Sequence, residues 1–441
     1  MKMRTYNVTI LGGGSAYTPG LIEGLLRFRD EFAIRRLVLM DIDEHKLSVV
    51  GTLVTQMLKT QVPEIEVVTT GDRRAALEGA DFVLCQIRVG GLQARHLDES
   101  IPLAHQVLGQ ETTGPGGFSM ALRTIPVMVE VARDIMEIAP EAWLINYTNP
   151  TGIVAEAVHR VSPVKMLSIC DVPMGMQFFI AKIMGVPTRE IRLDYVGLNH
   201  LGWIRRVWLK GQDILPQLRQ MIDSVDLDNL PPGLAVDDPH AMEEAGSVLR
   251  LFKELDVIPS YYLQYYYYND EMVGKLVRKG KTRAQEVMEI EQDLLPYYQE
   301  VAAQNQPSLW KKRGGDWHAE MMVGLVSSIA NDKQDLSIVN VPNRGTVTGI
   351  PDDKVVEVTA LIDRSGAHPL TVGRIPLDML GLMQVVGAYE TLTVEAALEG
   401  SYAKALRALA LHPLVPSLTV ARKILDEYFK AHADLLPQFR K

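Results

Sequence analysis

Short apolar runs alternate with amphipathic stretches through the first part of the chain. Residues 6–11, 36–41, 66–69, 82–87 and 143–147 carry clustered Val, Ile, Leu or Phe, and read as buried strands. Apolar spacing of three and four marks helices over 18–28 and 125–138. Strands alternating with helices predict a parallel sheet with right-handed crossovers. Residues 164–169 form a further strand, about the sixth, and Pro173 prevents it from continuing past Cys170 and Asp171. These two side chains therefore stand at a strand's C-terminal end, where open α/β sheets place ligands. Beyond His200 the pattern changes. Residues 203–208, 336–341 and 355–362 read as strands; 282–304, 318–330, 394–411 and 420–431 read as helices. Residues 223–239, rich in Pro and Asp, read as a surface loop. The expected fold is α/β. A doubly wound parallel sheet spans 1–196, and an α+β unit for substrate, metal and oligomer contacts spans 197–441.

Composition then narrows the function. The 441 residues carry a net charge of −9, which argues against a general nucleic-acid binder. An anionic substrate would need a local cluster of arginines. Cys85 and Cys170 are the only cysteines, too few for a disulfide framework or a four-cysteine zinc site. No apolar run reaches the ~18 residues of a membrane span, and the first residues lack a signal-peptide core. The expected setting is the cytoplasm, with no membrane and no nucleic-acid partner.

Gly12-Gly13-Gly14-Ser15 lies between a strand and a helix, where a glycine turn can approach a pyrophosphate. The match to Gly-x-Gly-x-x-Gly is partial, because Tyr17 takes the third position. The next strand ends in Asp41, suited to ribose hydroxyls and to NAD over NADP. The alternative is a plain tight turn with Asp41 as a helix cap. Cys170 and His200 could share a divalent ion, for which softness alone suggests zinc. They could equally be a buried small hydrophobe and a core hydrogen-bonder. Asp171 could be a general acid or the cap of the helix near Pro173. Glu111 sits in a shaped loop, Gln110 to Gly117, that is either a site loop or an exposed turn. Asn149 could cap a helix or bind substrate hydroxyls. Arg88 and Arg95 follow a strand and, with Arg123 and Arg283, could capture phosphate or remain surface charges. Six tyrosines in residues 261–268 suggest an aromatic strand in the core, or a sugar site with one tyrosine as a base.

Taken together, these motifs resemble family 4 glycoside hydrolases over residues 8–439. The resemblance rests on Gly12-Gly13-Gly14-Ser15, Ile87-Arg88-Val89-Gly90, Gly109-Gln110-Glu111-Thr112, Asn149-Pro150, Cys170-Asp171, Gly197-Leu198-Asn199-His200, Tyr262-Leu263-Gln264-Tyr265-Tyr266 and Thr282-Arg283-Ala284. It implies a Rossmann-like domain similar to lactate and malate dehydrogenases, NAD, and manganese(II) rather than zinc on Cys170 and His200. By position it makes Gly12, Gly13, Gly14, Ser15, Asp41 and Arg88 cofactor-binding. Tyr262 would be the base for the C2 proton, Glu111 the residue that tunes it, and Asp171 the acid. Arg95 and Asn149 would hold substrate, and Arg283 its phosphate. The implied reaction is a redox elimination in which hydride leaves C3 and later returns, an exception to two-carboxylate glycoside hydrolysis. Asp beside Cys170 resembles the 6-phospho-α-glucosidase branch, with substrates such as maltose 6′-phosphate. Val89-Gly90-Gly91-Leu92 and Tyr267-Tyr268 look more like the 6-phospho-β-glucosidase branch. The family suggests homodimers or homotetramers. A 2-hydroxyacid dehydrogenase sharing the fold is the remote alternative.

Overall fold

The computed structural model describes residues 4–226, 239–303 and 316–440. Six parallel strands build the first half: β1 (Thr5–Leu11), β2 (Ala33–Met40), β3 (Glu66–Thr70), β4 (Phe82–Cys85), β5 (Trp143–Asn146) and β6 (Met166–Ser168). They lie in the order β3-β2-β1-β4-β5-β6, the Rossmann arrangement. Helices Thr18–Arg27, Glu44–Gln61, Pro115–Ile138 and Thr151–Val161 connect them across the two faces. Strand residues Ile10, Leu84 and Ile145 are 0–1% exposed. Burying each such side chain stabilises the fold by roughly 1.5–3 kcal/mol.

The sheet does not stop at β6. There β11 (Asp335–Pro342) joins it antiparallel, with Asn340 opposite Ser168. Next come β12 (Val355–Asp363), β7 (Ile191–Leu198), β8 (Leu201–Leu209) and β10 (Ile258–Pro259), with β9 (Gln212–Asp213) beside β8 and β13 (Gly366–Pro369) beside β12. Among the described residues this is one 13-stranded sheet. The expected division at 196/197 falls inside β7.

Several elements differ from expectation. The helix expected over 394–411 is two helices, Leu377–Glu399 and Tyr402–Leu411. Gly400 closes the first in a left-handed conformation at φ 66°, and Ser401 caps the second by accepting from Lys404 N at 3.3 Å. Apolar spacing continues through this break, so periodicity alone hides it. The tyrosine-rich stretch is not a strand; it forms a 3-10 turn, Tyr261–Leu263, and a short helix, Gln264–Tyr267. Burial of Leu263 and Gln264 fixes a helical phase that overrides the aromatic preference for strands. Most of the expected loop over 223–239 lies outside the described residues. No helix among those described is long and apolar enough to cross a membrane.

Candidate active site

The glycine turn, Asp41, Arg88, Asn149 and Cys170 follow β1, β2, β4, β5 and β6, so all emerge at the C-terminal edge of the parallel strands. The turn is tied to β2: Gly12 N and Gly13 N donate to Met40 O at 2.9 and 2.8 Å. Gly12 is left-handed at φ 83°, and a Cβ on Gly13 would lie 2.9 Å from Leu39 Cβ. Asp41 is not a helix cap. Its carboxylate accepts from Gly14 N at 2.9 Å and Asp43 N at 3.0 Å, while Asp43 caps Glu44–Gln61. Gln86 donates to Gly12 O at 3.2 Å and Thr18 Oγ1 at 2.8 Å, a brace that sequence reasoning missed.

Cys170 and His200 meet. Cys170 Sγ lies 3.3 Å from His200 Nε2 and 3.7 Å from Asp171 Oδ1. His200 is in the two-residue turn between β7 and β8, at φ 63°. The Tyr262 ring stacks on His200 at 4.0 Å between centroids, and Tyr261 stacks on Tyr262 at 4.4 Å. Burial lowers the His200 pKa to about 4, opposed by Asp171 and Glu111, so the imidazole is neutral and able to ligate. Burial, Glu357 and Asp171 raise the Cys170 thiol well above its ordinary value. Burial and Cys170 do the same to Tyr262. A cation bound to both a thiolate and an imidazole holds S and N about 3.1–3.6 Å apart, and the observed separation fits. Among the described residues no group of three or more His, Cys, Asp or Glu that could hold a metal ion is found. Asp171 is the first residue of helix Asp171–Met184 rather than its cap; Cys170 takes the cap position without a side-chain bond. Asn149 is not a cap either: Pro150 precedes helix Thr151–Val161, and Asn149 Oδ1 accepts from Thr151 Oγ1 at 3.2 Å.

Glu111 lies between two arginines. It pairs with Arg88 Nη1, and with Arg95 Nη1 at 2.8 Å. Burial pushes its pKa up, but Arg88 and Arg95 more than offset this and hold it at about 2. Arg95 also donates to Glu99 Oε1 at 2.7 Å, and Glu99 Oε2 accepts from Ala284 N at 2.9 Å. That bond anchors the start of helix Arg283–Ala303 beside Arg283, whose own guanidinium donates to Glu286 Oε2 at 3.0 Å. Arg123 does not join them. Its side chain is fully buried against Asp98 at 2.5–2.8 Å, and is structural.

Sequence profiles described as "Family 4 glycosyl hydrolase" and its C-terminal domain match residues 7–186 and 195–415. The chain belongs to glycosyl hydrolase family 4. It is 40% identical to a probable 6-phospho-beta-glucosidase of Bacillus subtilis, covering 98% of this chain and 97% of that one. It is 36% identical to a maltose-6′-phosphate glucosidase of the same organism, covering 99% and 98%. A crystal structure of a 6-phospho-alpha-glucosidase from gut microorganisms, in complex with NAD and Mn2+, superposes with TM-score 0.92 at 34% identity over 99% of this chain and all of that one. A Thermotoga maritima 6-phospho-beta glucosidase with manganese, NAD+ and glucose-6-phosphate gives 0.86 at 31%, over 97% and 99%. A lactate dehydrogenase from Cryptosporidium parvum, at 15% identity and TM-score 0.54, shares the fold alone. The manganese in the related structures replaces the zinc suggested by ligand softness.

Beneath the site of this family 4 chain are groups that sequence reasoning missed. Glu357 on β12 is 1% exposed and bonded to Tyr195, Asn199 and Asn340. Burial raises its pKa to about 7 against those three bonds. Burial, and then Asp171, Cys170, Tyr17 and Tyr262, raise the Tyr147 pKa well above its ordinary value. An acid inside the apolar run Val355-Val356-Glu357-Val358 was the available signal for Glu357.

Proposed function

We propose that this chain hydrolyses 6-phospho-α-glucosides such as maltose 6′-phosphate, with NAD on the glycine turn and a divalent cation, Mn2+, on Cys170 and His200. The observation that carries this reading is the 3.3 Å approach of Cys170 Sγ to His200 Nε2 under the stacked Tyr262 ring. The related structures with NAD and Mn2+ support it. When bound, NAD supplies a reversible hydride acceptor for the sugar's C3, which acidifies the C2–H, and the cation supplies a Lewis-acid charge that favours ionised Tyr262.

The chain's own groups do the rest. Arg283 holds the 6-phosphate, and Asn149 and Arg95 orient the sugar hydroxyls. Tyr262 Oη takes the C2 proton, and Asp171 protonates the departing glycosidic oxygen. Glu111 keeps Arg88 and Arg95 in place and acts on the Tyr262 base through His200, which lies in its field. Gly12, Gly13, Gly14 and Ser15 receive the pyrophosphate, with Arg88 alongside; Asp41 receives the adenosine ribose. The reading also places the protein in the cytoplasm as a homodimer or homotetramer.

Asp171 beside the thiol favours the α anomer because Cys170-Asp171 resembles the 6-phospho-α-glucosidase branch. The 40% identical relative named for β-glucosides favours the second reading, a 6-phospho-β-glucosidase with the same chemistry. Paired α- and β-nitrophenyl glucoside 6-phosphates, with NAD and Mn2+, distinguish the two. Faster α cleavage that stops on chelation is expected. Faster β cleavage selects the second reading, and undiminished activity with chelator overturns both.

A further inference from the structure

Glu357 has no part in the reaction described above, yet it is linked to both arms of the cation site, directly through Asn199 and indirectly through Asn340. It lies on β12, opposite Gly197 of β7 and Asn340 of β11. Its Oε1 accepts from Asn199 Nδ2 at 3.1 Å, and Asn199 immediately precedes His200 in the turn. The same Oε1 accepts from Asn340 Nδ2 at 2.9 Å, and that amide also reaches Ser168 O at 3.4 Å, two residues before Cys170. Its Oε2 accepts from Tyr195 Oη at 3.1 Å. One carboxylate thus fixes the hairpin that presents the imidazole and, through Asn340, the strand end that presents the thiol. This support matters at His200, whose φ of 63° is a left-handed conformation uncommon for residues other than glycine. All three groups that donate to Glu357 are neutral, so no other counter-charge competes with a cation near Cys170 and His200 for its carboxylate.

We propose that Glu357 is the positioning residue of the cation site: it sets how tightly Cys170 and His200 hold the divalent ion, without ligating it. The proposal rests on the reading of those two residues as the cation's ligands. It assigns a role in metal binding to the C-terminal half of the chain, beyond the ligands themselves.

The test measures Mn2+ binding to the full-length, NAD-saturated protein, reading free Mn2+ by electron paramagnetic resonance. Glu357→Gln keeps the shape and removes the charge. Its Mn2+ dissociation constant is expected to rise about 10–100-fold, while NAD affinity, read by fluorescence, stays within about twofold. Excess Mn2+ then restores its turnover, which it would not do for a merely loosened fold. A Mn2+ affinity within about twofold of the unsubstituted protein would overturn the proposal. If Glu357→Gln fails to fold or to bind NAD, Asn199→Ala decides by the same criterion, because it cuts the link and leaves the carboxylate in place. The ligand assignment is tested separately. No Mn2+ binding by the unsubstituted protein, or unchanged binding by Cys170→Ser, sinks that assignment and this proposal with it. Loss in Cys170→Ser with none in Glu357→Gln sinks this proposal alone.

Discussion

Glu111 and Glu357 flank the same Cys170–His200 pair, from opposite halves of the chain, and burial is answered differently at each. Glu111 comes from the parallel half and meets two guanidinium groups, which hold it at about 2. Glu357 comes from the antiparallel half and meets two amides and a phenol, which leave it at about 7. Neutral hydrogen bonds satisfy a buried carboxylate's lone pairs without supplying a counter-charge. Glu111 therefore has more than its share of positive charge from Arg88 and Arg95, whereas no cationic side chain is paired with Glu357. Under the proposed reading, the contrast separates a counter-charged carboxylate on the substrate side from an uncompensated one beneath the cation's ligands.

Removing the thiol breaks the comparison on one side only. Cys170→Ser is expected to lower hydrolysis to background while NAD affinity is retained, measured by turnover and by nucleotide fluorescence. Retained turnover would deny the metal its role. Tyr262→Phe, next in size, should lower kcat by about 10²–10⁴-fold and leave Mn2+ affinity unchanged. A fall in Mn2+ affinity instead would make the ring a support for His200 rather than a base.

The carboxylates themselves can be set against each other. Glu111→Gln leaves Arg88 and Arg95 without their shared partner, and should cost about 3 kcal/mol in urea unfolding, at the low end for a buried pair because Arg88 retains some solvent. Glu357→Gln breaks no ion pair and should cost about 1 kcal/mol. Equal losses would contradict the contrast. Their pH signatures also have opposite signs in metal-free protein. Glu111 is lowered from an ordinary 4.5 to about 2, so its contribution is present above pH 4.5 and lost as pH falls towards 2. Glu357 is raised from 4.5 to about 7, so its contribution is complete below pH 4.5 and lost as pH rises towards 7. Glu111→Gln should flatten the first slope and Glu357→Gln the second. At the rim, Arg283→Ala should raise KM for phosphorylated substrates about 10–100-fold and leave free sugars unaffected. Equal losses on both would remove Arg283 from phosphate binding.

What could be read from the amino-acid order follows the same division. The glycine turn, Asp41 and Cys170 were legible because each closes a short apolar run, and the function of a strand end is local. Glu357 was not, because residues 355–362 read as an ordinary strand, and only pairing with β7 places its acid under the Asn199–His200 turn. Arg123 was misread for a related reason: nothing local distinguishes an arginine buried against Asp98 from one that awaits a phosphate. The tyrosine-rich stretch does set Tyr262 against His200 but is not the expected strand, since burial of Leu263 and Gln264 is decided by neighbours distant in sequence.

The central claim is that Tyr262 removes a proton from the sugar's C2 beside a cation held by Cys170 and His200. Hydrolysis in deuterium oxide tests it most directly, with the glucose 6-phosphate product examined by NMR. The account predicts one deuterium at C2, delivered when that carbon is reprotonated. Product formed at full rate with only protium at C2 would contradict it.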